Sequence, residues 1–189
     1  PPAPRGGAPA RGSSTQTTTG ENRPPHTGFA TSVWGEETLP DAGLHYLEVC
    51  FSVPGLEPGA SLGGSCFVGL VNHELTAVGN IGQLDGACGV FDKPADSMRI
   101  DGVANGSIPD DLHNSSGRCY GNGDRVGLLA DMDCVPRRLY IFRNDQQLRG
   151  CVLSGFPSNV RIVACPYKPN TKATLSFPAP PFFDGEEGS

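Results

Sequence analysis

The sequence predicts an all-β protein, an antiparallel sandwich of two sheets, and three observations carry that expectation. Apolar residues recur with period two in short runs, Gly, Pro, Asn and Asp bound the runs, and no window shows the 3.6-residue period of a long amphipathic helix. The elements follow in order. Residues 1 to 28, "PPAPRGGAPARGSSTQTTTGENRPPHTG", are mostly Pro, Gly, Ser and Thr and lack large aliphatic side chains. Such a stretch cannot offset the entropy of ordering, so it is expected to be a linker, disordered in part. Residues 29 to 178 are expected to form the sandwich, which at roughly 150 residues can bury most of the surface its unfolded chain exposes.

Within that span, "HYLEVCFSV" sets Leu47, Val49, Phe51 and Val53 on a core face and turns Tyr46, Glu48, Cys50 and Ser52 toward solvent or a second layer. "SCFVGLV", "DRVGLLADM", "RLYIFR", "NVRIVAC" and "ATLSF" repeat the pattern. Asp101-Gly102 after "SMRI" and "RNDQQ" after "LYIF" are tight-turn signals. Asp131 and Asp133 stand where "DRVGLLADM" must stop. Aspartate side chains there are expected to fold back on main-chain N–H groups two or three residues on. Residues 179 to 189 are broken by prolines and end acidic, as an exit tail.

Charge and cysteine usage narrow the function classes. A net charge of −6 and a pI near 5.1 argue against nucleic acid as the principal partner, because phosphate binding draws on clustered Lys and Arg. No apolar run approaches the roughly 20 residues that span a bilayer, so no membrane partner is expected. The chain starts at Pro1 and reads as a piece of something longer. Its seven cysteines, at 50, 66, 88, 119, 134, 151 and 165, form no C-x-x-C pair. Several lie inside apolar runs as small hydrophobes, which predicts free thiols, a reducing compartment and no zinc knuckle. The sequons at Asn105 and Asn114 point the other way, toward an extracellular protein, but such tripeptides arise by chance in Ser- and Gly-rich loops.

The order of motifs resembles the SPRY domain. "GLHYLEV" (43 to 49) is similar to that family's early strand, G-x-H-Y-W-E-V. "CFVGLV" (66 to 71), "GVFDK" (89 to 93), the Asp101-Gly102 hairpin, "GNGDRVGLLADMD" (121 to 133) and "LYIFRNDQQLRGCVLSGFPSNVRIVACPY" (139 to 167) follow in the family's order. The departures are Leu47 where the family has tryptophan, Asp145 where the turn has glycine, and a missing aromatic near Cys88 and Gly89. The resemblance implies an intracellular sandwich of concanavalin-like jelly-roll architecture that recognises other proteins. In relatives that recruit substrates for ubiquitin ligases, it implies loops that form a shallow peptide pocket.

Four segments are candidates for those loops: 23–35, 72–86, 105–123 and 167–171. The resemblance carries over Arg23 and Pro25 as an Arg-x-Pro echo, and Tyr167 or its neighbour Lys168 as the late-loop aromatic. "NHELTAVGNIGQ" supplies Asn72, His73 and Asn80 to the expected surface but no counterpart of the family's middle-loop tyrosine. Trp34, the only tryptophan, reads either as a plug on the sandwich edge or as a partner anchor. His45 reads as a hydrogen-bonded structural imidazole. The expected function is therefore a non-catalytic, cofactor-free interaction module, monomeric by itself, that binds a protein or peptide. Two rivals remain: an extracellular carbohydrate-binding sandwich with calcium on loop carboxylates, and an enzyme holding a metal on Asp131 and Asp133.

Overall fold

Period-two runs become strands when a pleated chain finds neighbours, and the described residues contain twelve strands. The computed structural model describes residues 16–19, 33–35, 37–64, 66–75, 86–168 and 170–181, with the main chain alone at 16–19 and 33–34. The strands are β1 (Gln16–Thr19), β2 (Val33–Trp34), β3 (Leu44–Ser52), β4 (Phe67–Asn72), β5 (Ala87–Phe91) and β6 (Met98–Ile100). They continue with β7 (Val103–Ala104), β8 (Arg125–Asp131), β9 (Arg138–Arg143), β10 (Gln146–Ser154), β11 (Val160–Cys165) and β12 (Lys172–Ser176). One sheet runs β1-β12-β3-β8-β9-β10 and the other β2-β11-β4-β5-β6-β7, every pair antiparallel. This is the predicted antiparallel two-sheet sandwich.

The core between the sheets takes Leu47, Val49 and Phe51 of β3, as the alternation requires, and Leu128 of β8 from the same sheet. Val68 and Leu70 of β4, Val90 of β5 and Ile162 of β11 meet them from the other. Leu47 is fully buried where a larger ring was expected. The outward set is covered too. Tyr46 packs with Leu129, Tyr140 and Phe142 on the far side of its sheet, its ring edge-on to Phe142 at 5.5 Å. Glycine makes these outer clusters fit. A Cβ on Gly127 would stand 2.2 Å from the Tyr46 hydroxyl, and one on Gly69 or Gly89 would strike the Phe67 ring at 2.6 or 2.7 Å. On each sheet an aromatic side chain lies across glycine main chain that offers no side chain of its own.

The expected turns form by the expected chemistry. Asp101 (φ 49°) and Gly102 (φ 72°) reverse β6 into β7, and Asn144 (φ 50°) and Asp145 (φ 68°) reverse β9 into β10. Two successive positive φ values define the hairpin turn whose twist matches the strands. Asp145 occupies the position a glycine would take without strain, and its carboxylate pairs with Arg125.

One part of the expected linker is a strand. Gln16–Thr19 pairs with β12, Gln16 opposite Leu175 and Thr19 opposite Lys172. A run of β-branched threonines on a sheet edge needs only main-chain bonds to one neighbour, so the lack of large apolar side chains does not prevent pairing.

Candidate functional site

Strand direction divides the connections between two ends of the sandwich. Among the described residues, 53–64, 66, 92–97, 105–124, 166–168 and 170–171 lie at one end, and 35, 37–43, 73–75, 86, 132–137 and 155–159 at the other, as the pairing registers require.

The first end is assembled around buried polar groups. Asp92, fully buried at the close of β5, accepts the Gly64 N–H at 2.9 Å on one oxygen and the Cys66 N–H at 2.8 Å on the other. Burial pushes this carboxyl above the ordinary carboxylate range, while those amides and Arg118 draw it back. Tyr120 is sealed from solvent, stacks on Phe51 at 6.1 Å and donates its hydroxyl to the Cys66 carbonyl at 2.7 Å. Asn122 accepts the Val53 N–H at 2.7 Å and donates to the Leu56 carbonyl at 2.6 Å, binding 53–66 to 105–124. Segment 105–123, expected as a polar recognition loop, thus drives Ile108, Cys119 and Tyr120 into the core.

On this frame sits Tyr167, 46% exposed, its N–H directed at the Cys66 sulfur at 3.3 Å. Lys168 donates from Nζ to the Ser61 carbonyl at 3.0 Å. Both side chains flank Gly63, where a Cβ would come within 3.0 Å of Tyr167 Cδ1 and 3.4 Å of Lys168 Cε. Only a glycine, at φ +110°, admits that approach. Next to it, Gly64 faces Arg118 Nη1 and the Lys93 Cβ.

The structure does not gather all the residues expected to bind a partner. Asn72 and His73 close β4 at the second end, separated from Tyr167 and Lys168 by the length of β4, about 17 Å at 3.3 Å per residue. There Asn72 Oδ1 accepts the Glu74 N–H at 2.9 Å, which is turn chemistry, and the His73 N–H donates to the Asn159 carbonyl at 2.8 Å, a tie to the neighbouring loop. Antiparallel neighbours put the residues that follow them at opposite ends, and that rule applied to β4 and β11 was the available signal. Trp34 lies on edge strand β2 opposite Val163. Arg23, Pro25 and Asn80 lie outside the described residues. Gly63, Lys93, Arg118 and Tyr120 went unrecognised in the sequence because only the fold brings them to Tyr167.

The remaining candidates have structural partners. Asp131 Oδ1 accepts the N–H groups of Asp133 at 3.1 Å and Cys134 at 3.2 Å, and Asp133 Oδ1 accepts that of Gly43 at 2.8 Å. His45 Nε2 meets the Ala42 carbonyl at 2.8 Å. Asn114 donates to the Gly59 carbonyl and to Asp124, and accepts from Ser116 and Arg118, so its amide nitrogen is not available to a glycan.

A rigid antiparallel sandwich with four loops locked together over one end defines the class of scaffold. Its particular form is the SPRY fold. A human SPRY domain superposes with a TM-score of 0.55 at 16% identity, covering 79% of this chain and 86% of that one. The SPRY domain of human HERC1 gives 0.51 at 11% identity over 81% and 85%, and the TRIM65 PSpry domain 0.50 at 18% over 76% and 69%. No family model matches the sequence, and no curated protein sequence matches it.

Proposed function

We propose that this chain is a non-catalytic interaction module that recognises a short peptide segment or partner surface through the loops around Tyr167. One observation carries the reading. A half-exposed tyrosine stands on a frame of fully bonded buried polar groups, and an aromatic held rigidly in place loses little entropy when a partner covers it. The solved SPRY domains that share the fold support it. The same reading makes the chain part of a larger intracellular protein, such as an adaptor that presents substrates to a ubiquitin ligase. Seven cysteines, five of them buried, support a reducing compartment.

Affinity capture with the chain, repeated with Tyr167→Ala, Trp34→Ala and Asn72→Ala, tests the surface. Tyr167→Ala is expected to strip the captured partners without lowering the melting temperature, whereas Asn72→Ala is expected to leave them in place. Trp34→Ala decides whether the β2 edge belongs to the surface. An unchanged set with Tyr167→Ala overturns the reading.

A further inference from the structure

We propose that the rim around Gly63 and Gly64 takes an acidic peptide segment, with its carboxylates on Lys93, Arg118 and Lys168 and a neighbouring apolar side chain on Tyr167; this rests on the reading of the Tyr167 surface given above. The three cationic side chains come from three separate loops and border two adjacent glycines, Arg118 with its guanidinium and the lysines with their aliphatic stems. A Cβ on Gly64 would lie 3.7 Å from Arg118 Nη1 and 3.9 Å from the Lys93 Cβ, and one on Gly63 would lie 3.4 Å from Lys168 Cε. Among the described residues none of the three forms an ion pair. The two lysines are nevertheless held. Lys93 Nζ stands 5.4 Å from the centre of the Phe91 ring, and Lys168 Nζ spends one donor on the Ser61 carbonyl at 3.0 Å, leaving two.

The amides of Gly63, Gly64 and Cys66 are already engaged. The Gly64 and Cys66 N–H groups are turned inward onto Asp92, and that of Gly63 is taken by Ser61 Oγ at 3.2 Å. An anion arriving here is therefore met by side chains, and the guanidinium of Arg118 suits a carboxylate that can accept two parallel bonds.

The whole chain carries −6, so this rim is a local inversion of its charge. Screening over about 8 Å at physiological salt lets a short ligand feel the rim rather than the total. A long polyanion would also meet the exposed Asp96, Asp110 and Asp111 on adjoining segments, which favours a peptide over a nucleic acid. Asp92 lies beneath the rim, where two amides take its oxygens and Arg118 also feels its charge.

The test is a selection of displayed ten-residue peptides on the full chain, followed by titration of the enriched peptides labelled with fluorescein. The enriched pool is expected to be acidic, against the sign of the whole protein. Lys93→Glu and Arg118→Glu are each expected to weaken binding about tenfold or more, as is Tyr167→Ala, and raising salt from about 50 to 200 mM to weaken it severalfold. Lys93→Gln, which places no carboxylate near Asp92, is the second variant, with a loss of about threefold expected even if Arg118→Glu disturbs the fold. Neutral or basic peptides that still require Tyr167 would overturn the acidic partner and leave the surface standing. Peptides indifferent to Tyr167→Ala and to both charge reversals would overturn the surface as well. Tighter binding of a ten-nucleotide single-stranded DNA than of any enriched peptide would also overturn the proposal.

Discussion

The two ends of the sandwich solve the same geometric problem, reversing strands, with different materials. At the Asn72 end, side chains that are not buried do it, mostly over two or three residues: Asn72 to Glu74 and Asp131 to Asp133 and Cys134, with Asp133 reaching across to Gly43. At the Tyr167 end, long-range bonds from Asp92, Tyr120 and Asn122 tie together segments 26 to 69 residues apart in sequence. Local turns only change the direction of the chain. The buried polar network fixes loops relative to one another, and a surface of several loops needs that fixed relation before it can complement another molecule.

Three perturbations measure this contrast. Tyr120→Ala empties a fully buried site and removes the donor to the Cys66 carbonyl, so a loss of about 3–5 kcal/mol in denaturant unfolding is expected, together with weakened partner capture. A loss as small as that at a surface turn would break the contrast.

Alkali comes next. Burial, and then the neighbouring Asp92 charge, push the Cys66 thiol from its ordinary value of 9.0 up to about 12. The folded state holds that proton more tightly. Its contribution to stability is therefore complete below pH ~9 and declines as pH rises toward 12, by on the order of 2–3 kcal/mol at pH 11. Cys134, on the turn at the opposite end, is the accessible counterpart. Its thiol donates to Asp131 at 2.8 Å, a bond that raises its pKa. Iodoacetamide labelling followed by mass spectrometry is expected to modify Cys134 in the folded protein and Cys66 only on unfolding. Equal rates would show that the Tyr167 end opens as easily as a turn.

Asn72→Ala is the smallest of the three. It deletes one local acceptor and is expected to cost about 1 kcal/mol. A cost comparable to Tyr120→Ala would mean that the Asn72 end holds the fold as strongly as the buried polar network does.

The part of the molecule written in local chemistry was legible before any coordinates. The alternation of "HYLEVCFSV" set Leu47, Val49 and Phe51 on the core face, and Asp101-Gly102 and Asn144-Asp145 fell at hairpins, because strand faces and turn signs depend on neighbours in sequence. What could not be read depends on partners distant in sequence. Tyr120 sits among Gly, Asn, Ser and Asp and looks like loop, yet the Cys66 carbonyl, 54 residues away, makes it a pillar. Lys93 and Arg118 acquire meaning only where Gly63 and Gly64 bring them beside Lys168. The near-complete burial of Tyr46 and Glu48 on the outward face had no local signature either.

The pairing of Gln16–Thr19 with β12 decides where this protein can be cut. A version begun at residue 29, where composition alone would place the boundary, leaves the main chain of Lys172–Leu175 without its neighbour on that side. Those bare amides and carbonyls would be open to strands from other molecules, and self-association would replace the border that three threonines had closed.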